Sequence, residues 1–420
     1  MNTSAPVSLL IIGAGGRGNT YAHYTELHPE EARVVGVAEP RPVYRSQMVA
    51  SYKIPAQNAA DDWHALAERP KFADAVVIAT QDALHAEPAA AFARQGYAIL
   101  LEKPMAPNAD DCRRIVQAVR ENGNIFAVCH VMRYTEYTQK LKQLLDSGLV
   151  GDIVSVDHIE PVGYWHMAHS FVRGNWRNTA ESSFMLLAKS CHDMDWLRYL
   201  IGQRCVQVSS FGALTHFKKD QKPAEAGAAV RCLDCAYEPR CPYSAPKLYL
   251  GMFRRGEFWW PLDVITPDHR SETGILRALR EGPYGRCVYE CDNDVVDHQV
   301  VSLLYQSGVT ANFSMVAFTE MGHRRTTVFG TLGELRGDGE RITHYDFLTD
   351  QTRTVDTRSG GADAASGHGG GDYGLMKRFV QAVASGDQGL LLSGAEETLE
   401  THLTTFAAEQ SRLEGRTISL

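Results

Sequence analysis

No apolar run in the 420-residue chain approaches the ~20 residues that a helix needs to span a bilayer, so no membrane span is predicted. Basic charge is not in excess either. Forty-two Lys and Arg stand against 50 Asp and Glu, a net charge of −8, which argues against nucleic acid or an anionic membrane as the main partner. The N-terminus, MNTSAPVSLLIIGAG, lacks the basic segment of a signal peptide and runs straight into a strand and a turn. Cysteine is sparse: nine residues, an odd count, most of them isolated. Without an export signal, reduced thiols in a cytoplasmic protein are the expectation. No internal repeat is present. What remains, 44% hydrophobic and 22% charged, is an ordinary globular composition over a length sufficient for two domains.

Short buried-type strands alternate with helical patterns at the start of the chain. Val7–Ile12, Val34–Ala38, Ala73–Ala79, Ala98–Leu101 and Ile125–Cys129 read as strands, with helices over Asn19–His28, Glu87–Arg94 and Ala109–Glu121. Such alternation predicts a doubly wound parallel sheet, a Rossmann-type domain, over residues 1–129. Residues 130–420 read differently. Strand patterns at 153–159, 206–210, 295–305, 308–318 and 324–329, several with period-two alternation, predict an α+β domain on a mostly antiparallel open sheet, one face covered by helices. Ser183–Leu200 reads as a helix. Two segments look inserted: a Cys-, Pro- and aromatic-rich stretch at about 218–286, and a Gly-rich loop over Arg358–Gly371.

The first turn carries chemistry. Gly13, Gly15 and Gly18 satisfy G-x-G-x-x-G between a strand and a helix, with Gly16 and Arg17 inside the motif. The first glycine permits a tight turn, the second lets the backbone approach a pyrophosphate, and the third lets helix and strand pack closely. Glu39 ends the next strand 21 residues after Gly18, near the ~20 residues expected of the acid that binds an adenosine ribose. That favours NAD; Arg41 and Arg45 nearby keep NADP open. Thr80, Gln81 and His85 follow the next strand, where ligands of such sheets bind, although His85 also fits as a helix-start residue.

About 85 residues after the turn comes Glu102-Lys103-Pro104. With this tripeptide and the glycine fingerprint together, the chain resembles the Gfo/Idh/MocA oxidoreductase family over essentially its whole length. The resemblance implies a sugar or polyol dehydrogenase that forms homo-oligomers, dimers or tetramers, through the open sheet. It places Lys103 beside the nicotinamide and the reacting hydroxyl, with Pro104 fixing the loop, the bond between them cis. The family's second motif sets an aspartate four residues before a histidine. Here His192 matches the histidine, but Ala188 occupies the aspartate position. Lys189, three residues before His192, is the candidate replacement, because positions three or four apart share a helix face.

Oxidising a secondary alcohol removes a hydroxyl proton as hydride leaves, which suits groups that titrate near neutrality. Lys103 and His192 are therefore the expected acid/base pair, with Lys189 as orienter or alternative base. Arg133, Tyr134, Tyr164, Trp165, His166, Asn175, Trp176 and Arg177 are candidate sugar contacts, since aromatic faces stack on C–H surfaces while polar groups take hydroxyls. His368, ahead of Asp372 and Tyr373, belongs either to a loop closing over the substrate or to a plain solvated loop. Cys232-x-x-Cys235-x5-Cys241 suits structural zinc, with a fourth ligand from Cys291 or Cys287; free thiols are the alternative. Two functions fit. One is an NAD(P)-dependent oxidoreductase acting on a sugar ring hydroxyl. The other is an NAD-dependent glycoside hydrolase that oxidises transiently, eliminates, adds water and re-reduces.

Overall fold

The structure, a computed structural model, describes residues 5–358 and 367–420. Six strands build the first sheet: β1 (Val7–Ile12), β2 (Ala32–Ala38), β3 (Ala59–Ala60), β4 (Ala75–Ile78), β5 (Ala98–Leu101) and β6 (Phe126–Val128). Their order is β3-β2-β1-β4-β5-β6 and every pair is parallel. β1, β4 and β5 are buried along their whole length, as a sheet covered on both faces requires. The order reverses between β1 and β4, so the loops after these strands open a crevice at their carboxyl ends.

The second sheet has nine strands: β7 (Ile153–Pro161), β8 (Cys205–Ala213), β9 (His298–Tyr305), β10 (Thr310–Val316), β11 (Arg325–Gly330), β12 (Gly333–Gly337), β13 (Arg341–Asp346), β14 (Gln351–Asp356) and β15 (Ile418–Ser419). They run in the order β14-β13-β12-β11-β7-β10-β9-β8-β15, antiparallel except for β7 with β10. One face packs under helices in a large apolar core. The other is open, and exposed Phe211, Val300 and Phe329 lie on it among polar neighbours.

The C-terminal helices do not stay with the second sheet. Leu375, Met376 and Phe379 of helix Gly371–Ser385 share a core with Leu9, Ile11 and Val37, and Val128 N donates to Ser393 O at 3.0 Å. Helix Ala395–Glu414 is wedged between the sheets, with Leu399 and Phe406 against the first and Ala407 and Ala408 in the core of the second.

One local reading needs correction. The stretch at 183–200 is not one helix but two, Met185–Ala188 and Cys191–Ile201, broken at Lys189 and Ser190. In the inserted segment, helices Ala245–Arg254, Leu262–Ile265 and Glu272–Glu281 enclose a small core of their own. Among the described residues, no helix is long and apolar enough to cross a membrane.

Candidate active site

The glycine turn joins β1 to helix Gly16–Leu27. That helix has no side-chain cap and no acid in its first turn, which leaves its first N–H groups to an anion. Gly13 has φ +94°, and a Cβ there would stand 2.5 Å from Ala79 O; one on Gly18 would stand 1.9 Å from Gly13 O. At the end of β2 the buried Glu39 carboxylate accepts from Ala14 N at 2.8 Å, and from Arg41 N at 3.0 Å, Nε at 2.7 Å and Nη2 at 2.9 Å. Burial alone would raise this carboxyl, but the Arg41 and Ala14 hydrogen bonds hold it below the usual range. A helix start with uncapped N–H donors, backbone that tolerates no side chain, and an ionised acid one strand away fit a dinucleotide. Arg41 is tied to Glu39, and Arg45 binds the Glu39 carbonyl, so neither stands free for a 2′-phosphate.

The other expected cofactor contacts divide. Gln81 is exposed at the crevice, and Thr80 Oγ1 donates to Leu84 O at 3.2 Å. His85 is instead buried, with Nδ1 2.9 Å from Pro104 O and Nε2 3.3 Å from Thr80 O; it braces the loop after β5 and does not reach the crevice. The Arg17 side chain also turns inward, onto Glu102, Tyr21 and Asp372.

Lys103 follows β5 and its buried Glu102, and its bond to Pro104 is cis. Nζ donates to Ala188 O at 2.8 Å. The residue that stands where the family carries an aspartate thus meets the lysine with its main-chain oxygen. His192 lies one turn further on, nearly buried, its ring 5.7 Å from that of His130. Burial, then the Arg133 and Lys103 charges, keep His130 well below its usual pKa and neutral.

Family models match nearly the whole chain. Residues 7–130 fit the oxidoreductase family's NAD-binding Rossmann fold, and residues 142–420 fit its C-terminal alpha/beta domain. The chain belongs to the Gfo/Idh/MocA oxidoreductase family. Among its curated relatives is the oxidoreductase YteT of Bacillus subtilis, 24% identical over 345 residues, 77% of this chain and 76% of that one. The Escherichia coli 2,7-anhydro-N-acetylneuraminate hydratase is 30% identical over 142 residues, 34% of this chain and 37% of its own. The inositol 2-dehydrogenase of Pseudomonas fluorescens is 28% identical over 224 residues, 51% and 62%. An Agrobacterium radiobacter oxidoreductase, solved with NAD+, L-tartaric acid and magnesium, shares the fold at TM-score 0.71 and 14% identity, covering 98% of each chain.

In this NAD-binding oxidoreductase the groups around Lys103 form a charged chain. Lys189 Nζ lies 3.1 Å from Glu160, Arg324 Nε lies 2.9 Å from the other Glu160 oxygen and also binds Asp193, and Asp193 meets His158 Nε2 at 3.0 Å. Burial works against ionised Asp193, but Arg324 and His158 outweigh it and hold the carboxyl low. Lys189 sits at the break between two short helices, committed to Glu160, not on a helix face continuous with His192.

The sugar candidates scatter. His166 lies within reach of the Lys189 charge, Trp165 packs tilted and His166 edge-on against Trp260 of the insertion, and Tyr164 meets Tyr243. Burial, then Lys189 and His169, hold His166 well below its usual pKa, so its imidazole is neutral. Asn175 and Trp176 are exposed, and Arg177 pairs with Asp292 and Glu181. Arg133 is spent on protein partners. It is fully buried, chelated by Asp195 at 2.7 Å on each side, with Glu397 and Leu392 O taking its other donors. Tyr134 is buried against Ser393 and Leu392. Both lock the C-terminal helices to the first domain. The expectation placed on His368 lies outside the described side chains.

Asp82 went unnoticed in the sequence. It stands two residues after Thr80, within reach of the Lys103 charge, and accepts from Ser182 Oγ at 3.3 Å. Burial pushes its carboxyl up, against His85 and Lys103. Its place after a strand of the parallel sheet was the available signal.

Of the cysteines, Cys232, Cys235, Cys241 and Cys287 line one cavity. Cys291 turns its thiol to Cys287 O at 3.3 Å and does not line that cavity. Among the described residues no three cysteine sulfurs lie within 4.8 Å of one another, too wide for the tetrahedron of one zinc ion, whose 2.3 Å bonds give edges of about 3.8 Å.

Proposed function

We propose that this NAD-dependent enzyme transfers hydride to and from a ring hydroxyl carbon of a sugar or sugar derivative, with Lys103 and His192 moving the hydroxyl proton. The observation that carries it is the anchoring of Lys103 Nζ at the Ala188 carbonyl, one turn from His192, beside the crevice of the NAD-binding sheet. NAD supplies the hydride acceptor. The rest falls to the chain's own residues. Lys103 or His192 takes the hydroxyl proton as the C–H hydride leaves, and returns it in the reverse direction. Ala188 cannot titrate, so the lysine is oriented by a fixed dipole and not by a carboxylate. Neutral His166 and the Tyr164 and Trp165 rings offer a donor, an acceptor and stacking faces for a sugar. The names of the inositol dehydrogenase and hydratase relatives suit such a substrate.

A second reading, redox-neutral cleavage through transient oxidation, is favoured by that hydratase relative and by the extra groups Lys189, Glu160 and His166 beside the site. Incubation with free sugars and aryl glycosides decides. Net NADH formation from free sugars supports the dehydrogenase, whereas aglycone release without net NADH supports cleavage. Failure of the protein to bind NAD would overturn both. The same proposal extends to a cytoplasmic homo-oligomer joined through the open sheet face.

A further inference from the structure

Four cysteines with no part in hydride transfer converge in the inserted segment. Cys232, Cys235 and Cys241 come from one short stretch, and Cys287 arrives from just before β9. The bridge between Arg231 and Arg286 sets Cys232 and Cys287 side by side, and Cys287 N donates to Val230 O at 2.9 Å. Each of the four opens a tight turn. Its carbonyl accepts from the N–H three residues on: Cys235, Glu238, Ser244 and Glu290 are the donors. In two of these turns the N–H two residues on reaches the sulfur itself, Tyr243 to Cys241 and Tyr289 to Cys287. Four separate turns folding amides toward sulfur around one space suit thiolates, which need such donors.

A second observation concerns a buried cation. The Arg173 guanidinium is fully buried at the same cavity, and among the described residues it meets no carboxylate. Nε donates to Arg286 O at 2.7 Å, and Nη2 donates to Tyr243 O at 2.7 Å and to Cys232 Sγ at 3.4 Å. A buried cation without a counter-charge is costly, and neutral thiols, the ordinary form below about pH 8.5, supply none. Thiolates bound to a soft metal do. We propose that Cys232, Cys235, Cys241 and Cys287 hold an iron–sulfur cluster, with Arg173 as its buried counter-charge. The wide sulfur spacing favours a cluster, whose separate iron corners carry one thiolate each, over a single zinc ion. Each thiol releases its proton on ligation, and no redox turnover of the cluster is invoked. Arg173 ends the helical stretch Met167–Arg173 that follows Trp165 and His166, and the inserted Trp260 packs on both rings. The centre thus props the wall that faces Lys189.

The test is metal and acid-labile sulfide analysis of the full chain purified without oxygen, with its visible absorbance. About four iron and four sulfide per chain support the proposal. C235S and C287S should lose iron and colour, whereas C291S and the catalytic-site variant K103A should keep both. C291S controls for general damage, and NAD binding by C235S shows that the first domain still folds. Stoichiometric zinc without iron would overturn the cluster. Neither metal, with all four thiols reactive in the native protein, would overturn the site. None of these readouts needs the substrate, so they stand apart from the dehydrogenase test.

Discussion

Lys103 Nζ is held by a single carbonyl, that of Ala188, and its role is separable from cofactor binding. Lys103→Ala should leave the NAD dissociation constant within about threefold and lower kcat by roughly 10²–10⁴, the usual contribution of a positioned acid or base. Stopped-flow turnover with NAD-binding fluorescence checks both halves. Asp82 tests the neighbouring charge. Its carboxyl is raised by burial, so activity that needs it ionised must climb with pH through that raised value. Asp82→Asn should abolish this acid limb of the kcat/KM profile and leave a lower, flatter rate; an unchanged limb would remove Asp82 from the site. At this scale the sequence was legible where spacing alone determines geometry, as for Gly13, Gly18, Glu39 and Lys103. It misled where burial decides. Arg133 and His85 have site-like identities, but long-range partners, Asp195 and the Pro104 carbonyl, draw them inward.

The elements explain how a loop so far from the C-terminus becomes fixed. His402 of helix Ala395–Glu414 accepts from Met105 N at 2.9 Å through Nε2, while Nδ1 donates to Thr398 O at 2.9 Å. That pair of bonds requires the neutral imidazole. Burial, then His130, brings its pKa down to about 3. The unfolded chain therefore binds a proton that the folded chain refuses between about pH 6.5 and 3. The stability is fully present above 6.5 and is lost as pH falls through that window. His402→Gln preserves a donor and an acceptor. It should cost about 1–2 kcal/mol at pH 7.5, yet lose less than the parent between pH 7.5 and 5 in urea titrations. The broken helix at Lys189 was not legible from periodicity, because its apolar pattern continues through the break. The Glu160 carboxylate and the Lys103 amine, both distant in sequence, meet its two sides.

Across the whole molecule, one surface remains unexplained by the monomer: the open face of the nine-stranded sheet. Phe211 is 65% and Val300 45% exposed there, paired across β8 and β9. If that face joins copies, Phe211→Asp with Val300→Asp should yield monomers by light scattering while NAD binding persists; an unchanged mass would refute it. The alternation of apolar runs with helices determined a parallel sheet unaided, since a strand buried on both faces must be apolar throughout. The polar edge strands β12 to β14 left no such signature, being largely solvent-facing on one side or both. Local spacing was likewise enough for the fingerprint and the lysine after β5, because backbone turns and strand ends need only neighbours. Which charges face the substrate, which are locked between domains, and which four cysteines share one cavity depended on contacts 50 to 300 residues apart. Only the tertiary structure decided those, because burial and pairing are properties of what surrounds a side chain.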